Sequence, residues 1–101
     1  EGYYVEPTIF TDVETDMRIA REEIFGPVLC VLRASDLQEA VRISNDVDFG
    51  LSSSVYTRDL VQAHEYINTA ETGMVHVNAP PLGGEVPLPF GGLGASGTGQ
   101  R

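Results

Sequence analysis

Residues 4–11 (YVEPTIFT) concentrate aromatic and β-branched types, the composition of an extended segment, and Pro7 assigns it to a sheet edge or an irregular strand. After the polar alternation Asp12, Glu14, Asp16, residues 17–22 fit one short helical turn. Residues 27–34 (PVLCVLRA) are almost continuously apolar, as in a strand covered on both faces within a parallel sheet. Ser35-Asp36-Leu37-Gln38 reads as a capping box, with Ser35 covering free amides and Gln38 reaching back. It opens a helix whose face carries Leu37, Ala40, Val41 and Ser44. Asn45, Asp46 and Asp48 are poor interior residues for a helix, and Gly50 marks the turn before a second strand over 51–57. Asp59 can cap a second helix with the stripe Leu60, Ala63, His64, Ile67 and Ala70. Gly73 stands where a left-handed helix end is wanted, and 74–78 (MVHVN) is a third strand. Within that strand His76 faces away from Val75 and Val77 as a half-exposed sheet residue, while His64 falls on the apolar side of its helix as a partly buried, hydrogen-bonded one.

Strand, helix, strand, helix, strand with tight connections predicts an α/β fold with right-handed crossovers and a parallel sheet. The strand edges want neighbours, so this layer is expected to belong to a larger sheet. From Ala79 the character changes, which divides the chain into a βαβαβ part, 1–78, and a Pro/Gly-rich segment, 79–101. A long irregular segment leaving the carboxyl end of a parallel strand is where open sheets bind ligands. Asn78 at the strand end and Phe90 between Pro89 and Gly91 are its binding candidates.

Composition narrows the classes. With 101 residues, 42% of them hydrophobic and 21% charged, the chain has the makings of a core. A net charge of -9 argues against a nucleic-acid partner, which wants clustered Lys and Arg. The single Cys30 rules out an internal disulfide and reads as a small buried hydrophobe rather than a nucleophile. No apolar run is long enough to span a bilayer, so a cytoplasmic location without a membrane partner is the default expectation. Glu1 in first place, where a Met would start a chain, and the unfinished look of Gly97-Thr98-Gly99-Gln100-Arg101 predict an excerpt of a longer protein.

Two motifs fail on physical grounds. Asp12, Glu14 and Asp16 could begin a calcium loop, but Met17 sits where that loop needs glycine, so no metal site is expected. Gly92-Leu93-Gly94-Ala95-Ser96-Gly97 spells the dinucleotide fingerprint. That motif needs a strand before it and a helix starting in it, and here Pro87 and Pro89 precede it while further glycine follows.

Glu22-Glu23-Ile24-Phe25-Gly26-Pro27-Val28 is different. If extended, it would project Glu23 and Phe25 to one side. A carboxylate accepts hydrogen bonds from a diol, and an aromatic ring packs on a flat ligand. Spacing alone leaves open an ordinary acidic turn whose Phe plugs the core.

Taken with Gly2-Tyr3-Tyr4-Val5-Glu6-Pro7-Thr8-Ile9-Phe10, Asn45, residues 50–57 (GLSSSVYT), Val77-Asn78 and Pro89-Phe90-Gly91-Gly92, the stretch resembles the aldehyde dehydrogenase superfamily over essentially the whole chain. The resemblance is to the later part of that family's catalytic domain, and implies a three-layer, Rossmann-like parallel-sheet fold. It implies oxidation of an aldehyde to a carboxylic acid with NAD or NADP, through a cysteine thiohemiacetal and thioester with a glutamate as general base. By motif position Glu23 matches the glutamate that accepts from the nicotinamide ribose hydroxyls, and Phe25 the phenylalanine packing near it. Phe90 matches an aromatic of the substrate pocket, and residues 78–88 align with the segment shaping aldehyde access. The family's nucleophilic cysteine and catalytic glutamate have no counterpart here, so no catalytic residue is expected within the chain. A homodimer or homotetramer is implied for the complete enzyme. Two other classes compete: a non-catalytic α/β module used for association, and a free-standing nucleotide binder built on the glycine tail.

Overall fold

The computed structural model describes residues 2–82 and 87–97. Nine elements follow in order: β1 Thr8–Phe10, α1 Arg18–Arg21, β2 Val28–Cys30, α2 Leu37–Asn45, β3 Phe49–Gly50, β4 Ser52–Val55, α3 Leu60–Thr69, β5 Met74–Val77 and β6 Leu93–Gly94. Strands β1 and β2 pair in parallel with Ile9 opposite Leu29, and β4 and β5 pair in parallel with Ser54 opposite His76. The expected parallel pairing is therefore present, but not as one sheet. Three two-stranded sheets form among the described residues, and the third, β3 with β6, is antiparallel.

Both long helices start on an aspartate. Asp59 Oδ1 accepts from the amides of Val61 (2.8 Å) and Gln62 (3.3 Å), as expected of a cap. For α2 the box lies one residue later than the sequence reading placed it. Asp36 Oδ1 accepts from the Glu39 amide at 2.8 Å, and Glu39 Oε2 accepts from the Ser35 amide at 2.7 Å. A charged carboxylate is the stronger acceptor at each position, so Asp36 displaces Ser35 and Glu39 displaces Gln38. Gln38 turns instead to Glu65 of α3, donating at 2.8 Å.

The buried face of α3 also differs from the expected stripe. Ala63 and Tyr66 are buried, whereas Leu60, His64 and Ile67 are exposed. The helix lies near α2, and burial of Ala63 and Tyr66 sets its inward face to one side of the expected stripe, leaving Leu60, His64 and Ile67 outward. Likewise Leu29 and Val31 are exposed where a strand covered on both faces was expected, because no described element lies on that side. Cys30 is half-buried, its thiol 3.6 Å from the Ile19 carbonyl oxygen.

Asn45 ties the two helices together. Its Nδ2 donates to the Thr69 carbonyl at 2.9 Å and its Oδ1 accepts from the Glu71 amide at 3.0 Å. Arg21 plays the same part for α1, with an ion pair to Asp46 at 2.8 Å.

Gly73 is not left-handed. The helix has already ended at Ala70, in extended backbone. What Gly73 supplies is room, since a Cβ there would collide with the Gly91 carbonyl. Gly94 does take a positive φ, 60°, where the chain turns out of β6. The Ala95 amide then donates to the Asp48 carbonyl at 2.7 Å. The glycine fingerprint is thus a strand and a turn, with no helix beginning in it among the described residues.

Candidate functional site

The Glu22–Val28 stretch follows α1, and its two carboxylates have different surroundings. Glu22 is engaged by Arg18 one turn earlier, both guanidinium bonds being 2.8 Å long. These bonds, with the field of the same guanidinium, hold the Glu22 carboxyl below the usual glutamate range against a smaller opposing desolvation. Glu23 has no hydrogen bond or ion pair among the described residues. It lines a cleft of about 530 Å³ whose other walls include Phe49, Ser52, Ser53, Thr72 and Ser96. Glu22 lines the same cleft, and Ala20, Val47 and Leu51 add apolar wall beside the hydroxyl residues.

Phe25 does not share that space. Its backbone is left-handed, φ 54°, which breaks the alternation of an extended chain, and its ring is 92% exposed. The expectation that Glu23 and Phe25 project together from an extended segment is overturned by that one dihedral. A bulky residue with positive φ is strained, and such strain survives where the surroundings enforce it. Two bonds fix the chain just beyond it: the Val28 amide closes a tight turn on the Gly26 carbonyl at 2.7 Å, and the Pro27 carbonyl accepts from the Thr8 amide at 2.9 Å.

Asn78 and Phe90, the expected substrate-side candidates, have different surroundings. Asn78 ends β5 with φ 54°. Both functions of its amide are spent on one residue, Oδ1 accepting from the Thr57 amide and Nδ2 donating to the Thr57 carbonyl, each at 2.9 Å. The chain then doubles back. Ser54 Oγ donates to the Ala79 carbonyl at 2.6 Å, and Ser52 Oγ to the Pro81 carbonyl at 3.3 Å. By residue 91 it lies against Gly73, at the amino end of β5. Phe90, just before that contact, is 60% exposed.

The sequence reading missed the serines. Ser52-Ser53-Ser54 in a strand gave a signal of small size only, yet each hydroxyl has a distinct partner. With period two, Ser52 and Ser54 hold the returning loop on one face, and Ser53 meets the Thr72 hydroxyl at 2.6 Å on the other. Ser96, inside the rejected glycine motif, accepts from the Gly50 amide at 3.0 Å and so closes the cleft wall.

The site is thus an α/β layer in which Glu23 lines a cleft of mixed polar and apolar wall, with left-handed backbone at Phe25 beside it. The chain belongs to the aldehyde dehydrogenase family, whose model matches residues 1–101. It is 48% identical over 97 residues to the alpha-ketoglutarate semialdehyde dehydrogenase of Haloferax volcanii, covering 96% of this chain and 20% of that protein. It is 49% identical over all 101 residues to the betaine aldehyde dehydrogenase of Brucella anthropi, again 20% of the relative. Among solved structures, a 1-pyrroline-5-carboxylate dehydrogenase from Thermus with bound NAD superposes with a TM-score of 0.89 at 41% identity, over 93% of this chain and 18% of that one. The betaine aldehyde dehydrogenase of Staphylococcus aureus in complex with NAD+ does so with a TM-score of 0.91 at 36% identity, over 98% and 20%. The chain therefore spans about a fifth of the length of the relatives it matches.

Proposed function

We propose that this chain is the cofactor-ribose and substrate-loop portion of an NAD(P)-dependent aldehyde dehydrogenase that oxidises an aldehyde to a carboxylic acid. Membership of the family supports the reaction class, and NAD in two of the similar structures supports the cofactor class. The observation that carries the reading within this chain is the unpartnered Glu23 carboxylate lining the cleft. An ionised carboxylate accepts two or more hydrogen bonds and so suits a vicinal diol such as the nicotinamide ribose. The nicotinamide supplies hydride acceptance when bound. Glu23 orients that cofactor by its ribose, and the family resemblance assigns the Phe25 ring, exposed outside the cleft, to packing near the nicotinamide. Phe90 is assigned to the aldehyde side, and Asn78 acts there through the backbone it clamps rather than by direct contact, since its amide is spent. The nucleophile and general base come from other parts of the complete enzyme, which is a homodimer or homotetramer in the cytoplasm.

In the complete enzyme, Glu23→Gln keeps the shape and removes the charge from the acceptor. A charge-assisted hydrogen bond is worth about 1.5–3 kcal/mol, so turnover falls roughly tenfold to a hundredfold with a raised KM for the cofactor. Steady-state kinetics with the aldehyde saturating reads both. Unchanged cofactor KM and turnover would falsify the assignment. They would favour instead a module used for association only, a reading supported by the exposed apolar faces of β1, β2 and α3.

A further inference from the structure

Asn78 and Ser54 look incidental in sequence, one ending a strand and the other in a serine run, but together they decide where the chain goes after β5. At Asn78 the backbone turns left-handed, a conformation that glycine adopts without strain and asparagine tolerates. If that turn were the only requirement, glycine would serve better. Asparagine adds a two-point clamp on Thr57, the residue two beyond the end of β4, with both bonds at 2.9 Å. One residue later Ser54 Oγ takes the Ala79 carbonyl at 2.6 Å, and at Pro81 the Ser52 hydroxyl takes the next but one at 3.3 Å. Asn78 thus anchors the start of the segment to Thr57, and two β4 serines grip alternate points of it, residues 79 and 81, and direct it antiparallel across the β4 face. Ser54 is half-buried, so without its hydroxyl the Ala79 carbonyl would lose its partner in a place water reaches poorly.

We propose that Asn78 and Ser54 are positioning residues for aldehyde selection: they set the course of residues 79–82 and so the shape of the aldehyde approach, without touching substrate. The proposal rests on the reading that this loop and Phe90 form the aldehyde side of the site. Neither Asn78 nor Ser54 lines the Glu23 cleft, whose β4 wall is Ser52 and Ser53, and Glu23 comes from a different element, the segment after α1. Loosening the clamp therefore acts on one substrate of the reaction and not on the other.

The experiment is steady-state kinetics of the complete enzyme with Asn78→Gly, Ser54→Ala, Ser54→Thr and Phe90→Ala, each with a small and a bulky aldehyde. Asn78→Gly keeps the left-handed turn and removes the clamp. The KM for aldehyde is expected to rise about threefold to tenfold, the effect of losing one or two hydrogen bonds, while the KM for NAD stays within about twofold. Ser54→Ala moves the same constant in the same direction, and Ser54→Thr, which keeps a donor, restores it. Wild-type aldehyde KM in both Asn78→Gly and Ser54→Ala overturns the proposal, as does an equal rise in both KM values, the mark of general damage. Phe90→Ala tests the underlying reading by itself. If it alters the preference between the aldehydes while the clamp variants do not, positioning fails and the loop assignment stands; if Phe90→Ala leaves the preference unaltered, the loop assignment fails.

Discussion

Glu22 and Glu23 are adjacent and chemically identical, yet only one is free, because a turn of helix puts Arg18 beside the first. The same kind of local accident governs Gly73. Nothing in its dihedral calls for glycine; the approach of the Gly91 carbonyl does. Gly73→Ala forces backbone on backbone, with no flexible side chain to yield. We expect it to cost about 3 kcal/mol, the upper end of the overpacking range, and to release the Phe90–Gly92 segment. Thermal unfolding of the complete enzyme, together with proteolysis within 88–92, reads both effects; a wild-type melting temperature would show that the close approach is dispensable.

At the scale of elements, the helices are set by their first turns. In α2 the Ser35 amide is the main reason that the Glu39 carboxyl lies below the usual glutamate range, with Arg42 adding a smaller pull. A depressed folded pKa means stability that is present above the unfolded value and lost as pH falls through the folded one. The loss therefore begins under the ordinary glutamate value of about 4.3. It is modest, because solvent screens the exposed carboxylate. Glu39→Gln should melt at a lower temperature than wild type at pH 6, and the gap should close as the pH is lowered to 3. A gap independent of pH would mean that the amide serves as well as the carboxylate. The strands obey a different rule. β2 and β4 are stabilised by one neighbour each, so their lengths follow from pairing, not from how far the apolar run extends.

At the scale of the whole chain, surface is in excess. The accessible area is 8021 Å², whereas a compact protein of 10.9 kDa exposes about 5600 Å². The radius of gyration, 14.8 Å, also exceeds the roughly 13 Å expected for this length. Val13, Ala63 and Tyr66 are the buried apolar residues among those described, and no large side chain is fully enclosed. Leu60 (72%) and Ile9 (66%) stand on faces that a packed domain would cover. The isolated 101-residue chain is accordingly expected to bind a hydrophobic dye and to melt without a sharp transition. A cooperative melt with no dye binding would show that the present contacts suffice.

Although β3 and β6 fall where a turn and an irregular segment were expected, the order of the other elements, the Asp59 cap and the parallel pairing were legible in sequence because they depend on local preference and period. So was the family, through residues 22–28 read with their companions. The one-residue shift in the α2 cap was not, since a charged acceptor outcompetes the neutral residue beside it; nor were the inward face of α3 and the approach of Gly91 to Gly73, which tertiary packing decides. The family resemblance marked Glu23 and Phe25 as a pair, where spacing alone left an ordinary acidic turn open. Tertiary structure set one over the cleft and the other into solvent, because a left-handed residue breaks the alternation on which their common direction depended.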